Sequence, residues 1–136
     1  MENDISRRPL SIAVVDDHPV FRKILSRSLA RILPGCEITE ADNGEVFLEH
    51  LKTHTYDLVL MDVKMPVMNG IEATSRAIRE HPELKILALS MHNDPDFLAA
   101  MKNAGASGYL IKGSDQKKMK NAIQQVLQGN QYFCLN

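Results

Sequence analysis

A chain of 136 residues has room for one well-filled core and not for two ordinary domains. With 44% apolar and 24% charged residues, 5% aromatic residues and no tryptophan, the composition is that of a globular protein with an aliphatic core. The 16 basic and 17 acidic residues leave a net charge of −1 without a basic stripe, and no apolar run approaches the roughly 20 residues that span a bilayer, so neither nucleic acid nor membrane is expected to bind this domain.

Residues 1–10 are polar, lack periodicity and stop at Pro9, and read as an N-terminal tail. From residue 11 short aliphatic runs recur at Ser11–Val15, Glu37–Thr39, Leu58–Met61, Ile86–Leu89 and Gly108–Ile111, each followed by a stretch with helical spacing. The first helix carries Phe21, Ile24, Leu25, Leu29 and Ile32 on one face and ends at Pro34-Gly35. A second fits Gly44–Lys52, with Val46, Phe47 and Leu51 inward, and a third fits Gly70–Glu80, before His81-Pro82. The fourth starts after Asp94-Pro95 and runs through Phe97, Leu98 and Met101 to Gly105; the fifth carries Met119, Ile123, Val126 and Leu127 to Gly129. Lys117, Lys118 and Lys120 crowd together there as a solvated helix face. This organisation predicts one domain over residues 11–130, with residues 131–136 beginning a C-terminal linker.

The third and fourth strands are nearly continuous apolar runs, the mark of strands covered on both faces by helices. The fold class is therefore α/β, a doubly wound parallel sheet of five β-α units, in which function sits in loops at the carboxyl ends of the strands. Cys36 and Cys134 lie far apart, with no C-x-x-C pair and no secretory apolar region, which predicts a cytoplasmic protein without a disulfide framework or zinc site.

Standing at those carboxyl ends are Asp16-Asp17, Asp62, Ser90 and Lys112. Three converging carboxylates repel by about 4 kcal/mol per close pair at an effective dielectric near 20, unless a cation intervenes. Mg²⁺ suits them, since it binds through one or two carboxylates, keeps several waters and takes phosphate oxygens as further ligands; Mn²⁺ is the alternative ion. A carboxylate can then attack phosphorus if the charge of the transferred group is neutralised, which the ion and an ammonium such as Lys112 would do, while the Ser90 hydroxyl donates to a phosphoryl oxygen. Taken singly, each aspartate is more simply a turn or N-cap residue; the constellation carries the reading. His18 stands outside it, because Mg²⁺ prefers oxygen and a histidine would suit a softer ion. His50, His54 and His81 read as solvated helix-end residues, and His92 as a loop residue within reach of the site.

Five motifs in order, A-V-V-D-D-H-P-V at 13–20, L-V-L-M-D-V-K-M-P-V-M-N-G at 58–70, I-L-A-L-S at 86–90 and G-A-S-G-Y-L-I-K at 105–112 among them, resemble the response-regulator receiver family over nearly the whole chain. The D-D-H-P-V-F-R and G-A-S-G-Y-L-I-K-G segments are most similar to the NarL/FixJ (LuxR-type) subfamily. The resemblance implies a flavodoxin-like (βα)5 sheet of strand order 2-1-3-4-5. It also implies Asp62 as phosphoacceptor and Mg²⁺ held by Asp17, Asp62 and the main-chain carbonyl of Lys64, with Asp16 acting through water. Ser90 and Tyr109 would be the switch residues, Lys112 the partner of the phosphoryl group, and Pro66 and Gly70 would shape the acceptor loop. A sensor histidine kinase or phosphotransfer protein would be the donor, a homodimer on phosphorylation a further partner, and transcription through a DNA-binding domain outside this chain the output. Gly113 departs from the family, where proline often follows the lysine. Lys64 and His92 occupy variable places that tune phosphoryl lifetime.

Two readings from other classes compete. A constitutive, unphosphorylated interaction module is disfavoured by intact Asp62 and Lys112. A phosphatase of the haloacid-dehalogenase type would need a D-x-D motif that Asp62-Val63-Lys64 lacks, and no nucleotide-binding glycine motif is present.

Overall fold

The computed structural model describes residues 8–135, so Asn136 and most of the expected N-terminal tail lie outside the described residues. Five β-α units follow one another: β1 (Ser11–Val15), α1 (Pro19–Ile32), β2 (Glu37–Ala41), α2 (Gly44–Leu51), β3 (Leu58–Asp62), α3 (Gly70–Glu80), β4 (Ile86–Ser90), α4 (Pro95–Ala104), β5 (Gly108–Ile111) and α5 (Gln116–Leu127). A two-residue strand, β6 (Tyr132–Phe133), closes the series. All pairings are parallel and the sheet order is 2-1-3-4-5-6, so the expected five-strand order holds and gains one edge strand.

Alternation along each strand feeds two cores. Ile12 and Val14 of β1, Leu58 and Leu60 of β3 and Leu87 and Leu89 of β4 face α1 and α5, where Leu25, Leu29, Ile123 and Val126 are buried. Ala13, Val15, Val59, Met61 and Ala88 face the other way, toward Phe47 of α2, Ala73 and Ala77 of α3 and Met101 of α4. Because both faces are covered, β3 and β4 are buried at every residue, polar ends included.

The helices start where polar caps allow. Asn43, Asn69, Asp94 and Asp115 each accept a main-chain N–H of the first turn of the helix they precede. The third helix approaches the sheet closely at its first residue: a side chain on Gly70 would strike the Asp62 carbonyl, and the Gly70 N–H donates to Val63 O at 2.7 Å. That tight return holds Val67 at φ 69, a left-handed conformation costly for a β-branched residue.

Strand β6 forms where the sequence suggests a linker. Tyr132 N donates to Ser107 O and Cys134 N to Tyr109 O, and Gly108 permits the approach, since a side chain there would meet the Tyr132 carbonyl. After Lys112 the chain turns through Gly113 at φ 84, which a residue without a Cβ adopts freely.

Candidate functional site

The order reversal between β1 and β3 opens a crevice at the carboxyl ends of the strands, and four strands deliver their last polar residues to it. Asp16 follows β1, its N–H tied to Ala41 O at 3.0 Å and its carbonyl held by Arg22 Nη1 at 2.6 Å. Arg22 is itself fixed by Glu40 at 2.7 Å, so the first helix locks the register of the acid pair. Asp62 ends β3, Ser90 ends β4, and Lys112 follows β5 with its N–H on Ser90 O at 2.7 Å.

Asp16, Asp62 and Lys112 are buried together. The Lys112 ammonium lies 2.7 Å from Asp16 Oδ2 and 3.3 Å from Asp62 Oδ2, above the Phe21 ring at 4.6 Å. One cation thus faces two buried carboxylates, with the partly exposed Asp17 in the same cluster. Burial first, then the charge of Asp16, push the Asp62 carboxyl up to about 6, against the opposing pull of Lys112.

Asp16 Oδ2, Asp17 Oδ1 and Asp62 Oδ2 are buried atoms without an aligned hydrogen bond; the ammonium answers two of them by charge alone. Ligand atoms of Asp16, Asp17, His18 and Asp62 all lie within 4.8 Å of one another. Three clustered carboxylates with one ammonium between them form a donor set for a hard divalent cation.

Beside this corner, Ser90 Oγ accepts the His92 N–H at 3.0 Å, and buried Tyr109 donates its hydroxyl to His92 O at 2.8 Å. The β4-α4 loop is thereby stitched to both residues expected to switch. Lys64, two residues past Asp62, sends its ammonium to the Phe97 ring at 5.7 Å, away from the carboxylates. His18, set apart from the site in the sequence reading, turns its ring into it, with Nδ1 3.1 Å from Asp16 Oδ1 and 3.3 Å from Asp17 Oδ1. Arg22 and Phe21 were not singled out for the site, and their helical spacing marked only Phe21, as a core residue.

The model of the response regulator receiver domain matches residues 12–124. The chain is 34% identical over 133 residues to the transcriptional regulatory protein DegU of Brevibacillus brevis, covering 98% of this chain and 56% of that protein. It is 33% identical to the crystal structure of a LuxR-family two-component response regulator from Aurantimonas sp. SI85-9A1, with a TM-score of 0.85 over 92% of this chain and 89% of that one. A response regulator protein, TrrA of Thermotoga maritima, solved in complex with Mg(2+)-BeF, is 28% identical, with a TM-score of 0.77 over 86% of this chain and 98% of that one. This chain belongs to the response regulator receiver family, of the NarL/FixJ (LuxR-type) kind, and is a receiver domain of two-component signalling. It spans little more than half the length of the curated relatives it matches. Among the described residues no helix is long and apolar enough to cross a membrane.

Proposed function

We propose that Asp62 is the phosphoacceptor of this receiver, in a reaction that needs Mg²⁺ at the acidic corner. The observation that carries the reading is a single Lys112 ammonium shared between the Oδ2 atoms of buried Asp16 and Asp62, with Asp17 alongside, so that the carboxylates outnumber the one ammonium that meets them. Asp17, Asp62 and the main-chain carbonyl of Lys64 would hold the ion, with Asp16 reaching it through water. When bound, Mg²⁺ supplies positive charge to the transferred oxygens and leaves ligand positions for them.

The remaining steps belong to the chain's own residues. Asp62 attacks the phosphorus of a phosphohistidine, on a histidine kinase or phosphotransfer protein, or of a small acyl phosphate; the bond from phosphorus to the donor breaks and an aspartyl phosphate forms. Lys112 follows the new negative charge and holds it. Ser90 exchanges its bond with the His92 N–H for one donated to a phosphoryl oxygen. Tyr109 and the β4-α4 loop, joined to Ser90 through His92, carry that change to the surface of α4, β5 and α5. Water later hydrolyses the aspartyl phosphate, so the domain supplies its own phosphoryl transfer and autodephosphorylation. Because phosphorylation biases an equilibrium only through differential contacts, a homodimer formed on activation exists weakly before it. The output is transcriptional, through a DNA-binding domain outside these 136 residues; DegU, by name a transcriptional regulatory protein, supports that assignment.

Intact mass after incubation with Mg²⁺ and acetyl phosphate tests the proposal. Wild type is expected to gain one phosphoryl group, removable by hydroxylamine, and Asp62→Asn none, nor wild type in EDTA. A gain in Asp62→Asn would move the acceptor elsewhere. No gain in wild type, with a competent kinase also failing, would favour the constitutive interaction module.

A further inference from the structure

His18 occupies the N-cap position of α1, yet makes no side-chain cap, unlike the Asn and Asp residues that open the other four helices. Pro19 follows, which confines His18 to the extended region, and its backbone sits there at φ −96 and ψ 104. From that backbone the ring turns toward the acidic corner. Its Nδ1 lies 3.1 Å from Asp16 Oδ1, 3.3 Å from Asp17 Oδ1 and 4.0 Å from Asp62 Oδ2.

Two ligands bound about 2.1 Å from one ion stand about 3.0 Å apart in adjacent octahedral positions and about 3.4 Å apart in a tetrahedron. The first two separations therefore already match ligands of a single metal, and the third needs only a small approach. The corner's need for a cation is independent of the ring: the Asp16 and Asp62 side chains are 2% and 5% exposed, and their Oδ2 atoms, without an aligned hydrogen bond, share one ammonium, that of Lys112, at 2.7 and 3.3 Å. Nδ1 stands at hydrogen-bond distance from Asp16 Oδ1, at 3.1 Å, and from the Lys112 ammonium, at 3.4 Å; in the tautomer that carries its proton on Nε2, on a ring 61% open to solvent, it presents a lone pair to the corner.

We infer that His18 Nδ1 is a metal ligand, making the acidic corner a mixed nitrogen and oxygen site that takes borderline transition ions such as Zn²⁺ or Co²⁺ more tightly than Mg²⁺. The inference rests on the reading of this corner as a cation site and adds a nitrogen donor to it. Imidazole contributes little to Mg²⁺, which prefers oxygen and keeps its waters, and much to Zn²⁺ and Co²⁺. His18 thus sets ion preference without being needed for Mg²⁺, and the domain's acceptor site answers to transition-ion supply as well as to Mg²⁺.

Calorimetric titration with Zn²⁺ and, separately, with Mg²⁺ tests this on wild type, His18→Ala, His18→Gln and Asp17→Asn, with long-range proton–nitrogen spectra of the imidazoles recorded alongside. Both His18 variants are expected to weaken the strongest Zn²⁺ site at least tenfold while leaving Mg²⁺ affinity within twofold. Asp17→Asn is expected to weaken both ions. The His18 Nδ1 resonance is expected to move on Zn²⁺ addition and to stay in place with Mg²⁺. Zn²⁺ affinity indifferent to His18, or a Zn²⁺ response confined to other histidines, would overturn the inference while Mg²⁺ binding through Asp17 left the phosphoacceptor reading standing. Failure of wild type to bind Mg²⁺ at the corner would overturn both.

Discussion

Strand β3 has an aspartate at each end, and the two live in opposite electrostatics. Asp57, just before the strand, is gripped by both Arg8 guanidinium nitrogens at 2.9 and 3.0 Å and accepts the Ser11 N–H at 2.8 Å. The Arg8 hydrogen bond holds its carboxyl below the usual aspartate value of 3.8. Asp62, five residues on, shares one ammonium with Asp16, and burial pushes it up to about 6. Asp57 has donors to spare for one carboxylate, whereas at Asp62 the acids outnumber the cation. The first arrangement suits a structural clasp; the second stores unfavourable charge that an added cation relieves.

The comparison breaks most sharply if Lys112 is removed. Lys112→Ala leaves buried Asp16 and Asp62 facing each other, and is expected to cost about 3–5 kcal/mol of metal-free stability at pH 7.5 in urea unfolding. It is also expected to abolish the mass gain from acetyl phosphate. Asp62→Asn acts in the opposite sense and is expected to stabilise metal-free protein by about 2–3 kcal/mol at pH 7.5. The sign follows from the proton count. With its folded pKa raised, Asp62 binds a proton more tightly in the native state, so its contribution falls as pH rises from about 4 to about 6 and stays lost above. The advantage of Asp62→Asn should therefore be absent below pH 4 and complete above pH 6, and a pH-independent difference would contradict it.

Mg²⁺ should narrow the same gap. At one hundred times its dissociation constant it is expected to stabilise wild type by about 2.7 kcal/mol, and Asp62→Asn by much less, in thermal or urea melts. At the other end of the strand, Asp57→Asn is expected to destabilise by only about 1 kcal/mol. Its pH dependence has the reverse sign: the carboxylate's contribution is present above the usual aspartate range and is lost as pH falls through its lowered folded value. Smallest is Tyr109→Phe, which gives up the hydrogen bond to His92 O for about 1 kcal/mol or less, with Mg²⁺ stabilisation unchanged.

The division between what the sequence disclosed and what it hid follows the range of the forces. A parallel, doubly wound sheet and five helices were legible because strands buried on both faces must be continuously apolar, as Leu58–Met61 and Ile86–Leu89 are, and because Asn, Asp, Pro and Gly punctuate the helices between them; the strand order came from the family resemblance. The acidic corner was legible because strand ends fix where Asp16, Asp62, Ser90 and Lys112 emerge. Strand β6 was not, since a two-residue strand has no period, and its pairing depends on Gly108 having no side chain. Nor was the clasp between Arg8 and Asp57, which joins residues 49 apart in the chain. The His18 ring follows from a side-chain rotation that no spacing encodes, and Tyr109 buried against His92 is one of two orientations its pattern allowed.

Chemical trapping distinguishes the two ends of β3 most directly. Borohydride reduces an aspartyl phosphate to homoserine, so protein treated with Mg²⁺ and acetyl phosphate, reduced and digested, reports its acceptor by peptide mass. The account predicts homoserine at position 62, none at 57 and none at 16 or 17. Homoserine at any of those other positions, with residue 62 still aspartate, would contradict it.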